Sequence, residues 1–200
     1  MFICAPKLPP VVIYSDASAK GEFGDIVKLG FCIFKDGTCY VGSHDVPAHI
    51  MDRFCKRKHY INVGELLVAP LIAVSCRELI EHRDVLWFID NRAALAALIK
   101  GAPPQVDTAF LALTANWAFT SSNSRMWFER VDSDGNPSDI LSRDGIDNEL
   151  IREAIALGNV CWVEAQPLWD TLVPADIASM CSAFEFLPAV GGGVTTTALG

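Results

Sequence analysis

Val85–Leu98, VLWFIDNRAALAAL, is the stretch from which the architecture is read. Val85–Ile89 is an unbroken run of large apolar residues, which suits a strand covered on both faces. Ala93–Leu98 consists of strong helix formers. Between the two stand Asp90, Asn91 and Arg92. A strand that hands directly into a helix is the α/β pattern, and its C-terminal end is where open α/β sheets build their sites. Asp90 at this junction can N-cap the helix or serve in such a site. The stretch alone allows both.

Working outward, 200 residues suffice for one well-packed domain with an extension, or for two small ones. The net charge of −8 argues against a non-specific nucleic-acid coat protein, which would carry a basic patch. It does not argue against a nucleic-acid enzyme whose acids hold metal ions, because bound cations reverse the local field. The seven cysteines are scattered, with no CxxC pair and no zinc-like spacing. They read as reduced thiols in a cytosolic or nuclear setting. Met1–Pro10 lacks an apolar core of signal-peptide length, and the longest apolar run, Leu66–Val74, is too short to span a bilayer. The expectation is a protein that is not secreted and not in a membrane.

In chain order, Val11–Tyr14 reads as a first strand ending at Ser15-Asp16. Lys28–Lys35 is a second, Asp36-Gly37 a hairpin turn, and Thr38–Gly42 a third. Ser43–Tyr60 is a connector carrying Arg53, Lys56, Arg57 and Lys58, a basic group in an acidic chain. Asn62–Glu81 is helical in pattern. Asn62 and Glu65 match a capping box, and Pro70 is expected to bend or open the helix. Val85–Ile89 is the fourth strand and Asn91–Ile99 a helix. Val106–Thr120 is another helix and Arg125–Val131 the fifth strand. Asn136-Pro137 opens a short helix with Asp139 in its first turn. The expected fold is α/β: a five-stranded mixed sheet, three antiparallel strands then two parallel, flanked by helices. The expected division is a lead at 1–10, a domain at 11–158, a C-terminal extension at 159–190 and a disordered Gly/Thr-rich tail at 191–200.

Acids fall at the end of strand one (Asp16), early in the first long helix (Glu65), at the end of strand four (Asp90) and after strand five (Asp139). Each has a structural explanation by itself. In this order, on these elements, they resemble the ribonuclease H domain, in the version attached to reverse transcriptases. YSDAS at Tyr14–Ser18, INVGELL at Ile61–Leu67 and FIDN at Phe88–Asn91 look like three motifs of that family. NPSDILSR at Asn136–Arg143 is the most specific. It is similar to the N-P-x-D-x-x-S-R ending found in hepadnaviruses and DIRS-like retroelements, as is ANW at Ala115–Trp117. The resemblance spans Val11–Gly145.

The resemblance implies a metal-dependent endonuclease that hydrolyses the RNA strand of RNA–DNA hybrids as part of a reverse transcriptase polyprotein. It also implies a linked or associated polymerase domain and a location in cytoplasm, nucleus or a virus-like particle. Such hydrolysis uses two divalent ions about 4 Å apart. Mg²⁺ takes oxygen ligands and keeps several waters, so a few carboxylates suffice, and Mn²⁺ would substitute. Asp16 would bridge both ions, Glu65 and Asp90 would hold the one on the leaving-group side, and Asp139 the one with the attacking water. Asp132, Asp134 and Asp144 are neighbouring alternatives for the last acid. Asn62 and Asn91 would touch the 2′-hydroxyls that distinguish RNA from DNA. Arg53, Lys56, Arg57 and Lys58 would grip phosphate. The sequence departs from the family in two places. The loop Asp132–Gly135 lacks the histidine found in many members, and Lys100–Gln105 is too short for a basic helical handle. Two other readings are a non-catalytic scaffold of the same fold that binds nucleic acid or protein, and a related nuclease of this fold that cuts DNA, which the NPSDILSR ending does not favour.

Overall fold

The structure, a computed structural model, describes residues 8–22, 24, 26–101, 103, 105–165 and 169–177. The strands are β1 (Val11–Lys20), β2 (Ile26–Lys35), β3 (Thr38–Asp45), β4 (Asp84–Ile89), β5 (Arg125–Arg130) and β6 (Val160–Trp162). The helices are α1 (Ala48–Met51), α2 (Ile61–Ser75), α3 (Arg77–Ile80), α4 (Arg92–Lys100), α5 (Val106–Ser121), α6 (Asp139–Arg143), α7 (Glu149–Ala156) and α8 (Trp169–Leu172). None of them is long and apolar enough to cross a membrane.

The sheet order is β5-β4-β1-β2-β3-β6. β1, β2 and β3 form the expected antiparallel meander, and β4 and β5 add in parallel beside β1. The sheet has six strands among the described residues, not five: β6 pairs parallel with β3 at the far edge. A three-residue strand is too short to show a period in sequence, so the expectation missed it.

One sheet face is packed by α2 and α5. Ile13, Leu29, Phe31, Trp87 and Ile89 meet Leu66, Leu67, Leu71, Leu111 and Phe119, all buried. The indole of buried Trp87 donates to Ser15 Oγ at 2.8 Å, so its polar atom is satisfied. On the other face α7 covers only the β3–β6 side, where Ile151 and Trp162 pack against Cys32, Val41 and Leu141. Over β1 and β4 this face carries the stacked rings of Tyr14 and Phe88.

Several local expectations change. The long helical pattern breaks at Cys76 into α2 and α3. Pro70 lies inside α2 without ending it. Asn62 does not cap α2: the N-cap position is Tyr60, with no side-chain cap bond. β1 runs on through Asp16 to Lys20, because Asp16–Lys20 keep pairing with β2. In the extension, Leu172, Val173 and Ile177 are buried in the main core, and the Trp169 ring stacks on His44. The start of the lead, the rest of the extension and the expected disordered tail lie outside the described residues. Cys32, Cys39, Cys76 and Cys161 are free thiols.

Candidate active site

Three long-range arrangements bring the acids together. The first is the β1–β4 register, which pairs Ser15 with Ile89. The next residues, Asp16 within β1 and Asp90 just past the end of β4, therefore lie side by side. The second is the approach of α2 to β1 at Gly64, where a Cβ would lie 2.7 Å from Val27 Cγ1 and 3.1 Å from Ala17 Cβ. Glycine there lets the helix sit close enough for Glu65 to face Asp16. The third is the seating of α6 on Gly30 of β2, where a Cβ would lie 2.3 Å from the Ser142 nitrogen. Ser18 Oγ donates to the Ser142 carbonyl at 2.6 Å and Asn136 Nδ2 to the Ser15 carbonyl at 3.1 Å, so α6 is stitched to β1.

Asp16, Glu65 and Asp90 each offer a carboxylate oxygen, and these oxygens all lie within 4.8 Å of one another. Asp16 and Glu65 are only 5% and 4% exposed. Asp139 stands outside this trio but lines the same cleft, of about 440 Å³, with Lys20, Ser133 and Arg143. Of the alternatives, Asp132 pairs with Arg130, Asp144 accepts from Asn148, and Asp134 lines an adjoining outer cleft that shares Ser133, Asp139 and Arg143 with this one. Among the described residues no histidine lines the acidic cleft.

Asp90 does not cap α4. The Asn91 side chain does so, accepting from the backbone N–H groups of Ala93 and Ala94 at 2.9 and 3.0 Å. That leaves Asp90 free to face Asp16. Serines the sequence reading did not single out hold two of the acids. Ser142 Oγ donates to Asp16 Oδ2, and Ser133 Oγ donates to Asp90 Oδ2 at 2.8 Å. Ser142 lies within the NPSDILSR motif, which was its only sequence signal. Ser133 had none beyond its place in the loop.

The trio is electrostatically strained. Burial, then the charges of Asp16 and Asp90, push the Glu65 carboxyl up to about 10. Burial also lifts Asp16 to about 6, against the Ser142 hydrogen bond and with the help of Asp90 and Asp139. Glu65 Oε2 is buried without a hydrogen-bond partner. An orphaned acceptor among converging carboxylates is the donor set a hard divalent cation takes: oxygen ligands, negative charge and room for water. The residues present fit such an ion.

This strain sets a pH dependence. The folded-state pKa values of Asp16 and Glu65 lie above their ordinary values of 3.8 and 4.5, so the unfolded chain releases these protons first. The site's contribution to stability is therefore full below pH ~4. It falls as pH rises through about 6, and goes on falling towards about 10. We expect the urea midpoint in EDTA to drop between pH 5 and pH 8, and millimolar Mg²⁺ to restore most of the loss at pH 8. An unchanged midpoint in both media would contradict it.

The remaining expected residues separate into two groups. Asn91 Nδ2 donates to Asn62 Oδ1 at 2.9 Å, so both asparagines sit together at the N-termini of α4 and α2. Lys56 and Lys58 are exposed. The arginines are engaged by the protein itself. Arg53 donates to the Val173 carbonyl at 2.6 Å and pairs with Asp170 at 2.7 Å. Arg57 pairs with fully buried Asp107, bonds Gln105 at 2.8 Å and lies over the Tyr60 ring. Both tie the connector to the fold, a role their place in a basic run did not reveal.

No family model matches this chain, and no curated protein does. Solved structures do. LC11-RNase H1, isolated from compost by a metagenomic approach, matches at 17% identity with a TM-score of 0.53, over 70% of this chain and 98% of its own. The crystal structure of LC11-RNase H1 in complex with an RNA/DNA hybrid matches at 17% identity and 0.52, over 70% and 99%. RNase H1 from the halophilic archaeon Halobacterium salinarum NRC-1 is 14% identical with a TM-score of 0.49, over 70% and 98%. With the mixed sheet and its helices in place, the LC11 matches establish that this chain has the ribonuclease H fold.

Proposed function

We propose that this chain is a metal-dependent endonuclease that hydrolyses the RNA strand of RNA–DNA hybrids. The observation that carries it is the convergence of Asp16, Glu65 and Asp90 with an unpartnered buried Glu65 oxygen. Burying carboxylates without cations costs stability. A protein that used this fold only as a scaffold would gain by losing them. The structure of LC11-RNase H1 with an RNA/DNA hybrid supports the substrate class. The NPSDILSR ending supports a reverse transcriptase origin of the hepadnavirus and DIRS-like kind, with a polymerase domain as partner.

Asp16, Glu65, Asp90 and Asp139 would hold two Mg²⁺ ions, with Mn²⁺ as a substitute. When bound, such ions polarise the scissile phosphate and lower the pKa of the attacking water. The chain's own residues supply the rest. Ser142 and Ser133 fix the Asp16 and Asp90 carboxylates, so little reorganisation is needed. The Asn62–Asn91 pair, anchored by the α4 cap, would offer amide groups to the 2′-hydroxyls of an RNA strand. Lys56 and Lys58, both exposed, would contact phosphate. Arg53 and Arg57 would contribute by holding that connector in place.

The test is hydrolysis of a labelled RNA–DNA hybrid by the full chain in Mg²⁺ and in Mn²⁺, beside single-stranded RNA and an all-DNA duplex. The expected result is metal-dependent cutting of RNA in the hybrid alone. Hybrid binding without cutting in either metal would overturn this reading in favour of the scaffold.

A further inference from the structure

Arg143 ends α6, one turn after Asp139. Its Nε donates to Asp139 Oδ1 at 2.9 Å, and its Nη2 lies 2.9 Å from the same oxygen. Two of the five guanidinium donors thus converge on one carboxylate oxygen. The side chain is 65% exposed. It lines the acidic cleft and also the adjoining outer cleft of about 410 Å³, which shares Ser133 and Asp139 with the first and adds Asp134, Asn136, Pro137 and Ile140. Among the described residues, Asp16, Glu65 and Asp90 have no basic side chain in an ion pair with them. Among the described residues the one ion pair at this acidic cleft is therefore at Asp139, the acid that stands apart from the trio.

We propose that Arg143 is the internal counter-ion of Asp139. It competes with a divalent cation for that carboxylate, and it turns to a nucleic-acid phosphate in the outer cleft once the carboxylate is taken. The inference rests on the nuclease reading of the same site. Two cations that share one carboxylate weaken each other's hold by the same factor. The exposed i,i+4 pair is weak enough to be displaced. A guanidinium on the boundary between two clefts needs only a side-chain rotation to change partners. Its planar fork matches phosphate oxygens better than an ammonium does. Asp134 in the outer cleft is not one of the metal-binding acids, and a released Arg143 offsets its charge where a phosphate would sit. Arg143 is a positioning residue for the substrate and a regulator of metal affinity at Asp139.

The test has an arm without nucleic acid. Mn²⁺ alone is titrated calorimetrically into the full chain, wild type and Arg143→Gln, each also on an Asp139→Asn background. Arg143→Gln is expected to bind Mn²⁺ about five-fold tighter, the order expected from freeing an exposed ion pair. Asp139→Asn is expected to erase the difference. In the second arm, at saturating metal, Arg143→Gln raises the KM for hybrid about ten-fold with kcat within about two-fold. Arg143→Lys falls between the two in both arms, because it keeps the charge but loses the fork, and it carries the comparison if the glutamine variant misfolds. Unchanged or weaker Mn²⁺ binding by Arg143→Gln, where the wild type binds, overturns this inference and leaves the nuclease reading standing. Tighter metal binding with an unchanged KM overturns the phosphate contact. A wild type that binds no Mn²⁺ overturns both readings.

Discussion

Asp90→Asn is expected to reduce hybrid cleavage by at least about 10³-fold, comparable with loss of a preorganised transition-state stabiliser. It is also expected to make the metal-free protein more stable. The substitution keeps the shape of the side chain and an oxygen for the Ser133 hydroxyl. It removes one negative charge beside Asp16 and Glu65, whose carboxyls Asp90 pushes upward. Relief of that repulsion is worth about 1 kcal/mol, or ~3 °C in melting temperature for a chain of this size. The stabilisation by Mg²⁺ should shrink in parallel, because one ligand of the convergent trio is gone. Activity falling while metal-free stability rises is the signature of a site that sacrifices stability for function. Calorimetric melting in EDTA and in Mg²⁺, beside the cleavage assay, checks it. A variant less stable than wild type in EDTA would mean that Asp90 is a structural residue.

Gly30→Ala is expected to cost about 3 kcal/mol of stability and about 10²-fold in cleavage. The atoms a new Cβ would meet are backbone: the Ser142 nitrogen at 2.3 Å, the Leu141 carbonyl carbon at 2.8 Å and the Ser138 oxygen at 2.8 Å. No rotamer change relieves such a clash, so α6 must move away from β2. α6 carries Asp139, Ser142 and Arg143 together. Its displacement would loosen the Ser142 bond to Asp16 and carry Asp139 out of the cleft. Urea denaturation and cleavage measured where the variant is fully folded separate the two effects. Wild-type cleavage by a folded Gly30→Ala protein would show that the seating of α6 does not govern the site.

Much of this was legible in the chain. Apolar runs and turn residues placed the first five strands, and helix formers placed α4 and α5. The order of Asp16, Glu65, Asp90 and Asp139 on those elements pointed to a nuclease fold. One local signal misread a pair of residues near the site. Asn62 with Glu65 matched a capping box, yet Glu65 is buried beside Asp16 and Asn62 pairs with Asn91. Nor did the basic run reveal that Arg53 and Arg57 reach Asp170 and Asp107, far away in sequence.

By itself the sequence determined which residues can bear charge, which segments prefer strand or helix, and the order in which the acids occur. These are local properties of side chains and short backbone windows. The tertiary structure alone decided that Asp16 and Asp90 emerge side by side, that Asn91 rather than Asp90 caps α4, and that Ser133 and Ser142 hold the acids. It also decided that Glu65 is raised by burial and neighbouring charge, that Arg143 takes Asp139, and that a short sixth strand closes the far edge. Each of these depends on strand register and on close helix approach at Gly30 and Gly64. Such contacts join residues many positions apart, and no periodicity within one segment encodes them.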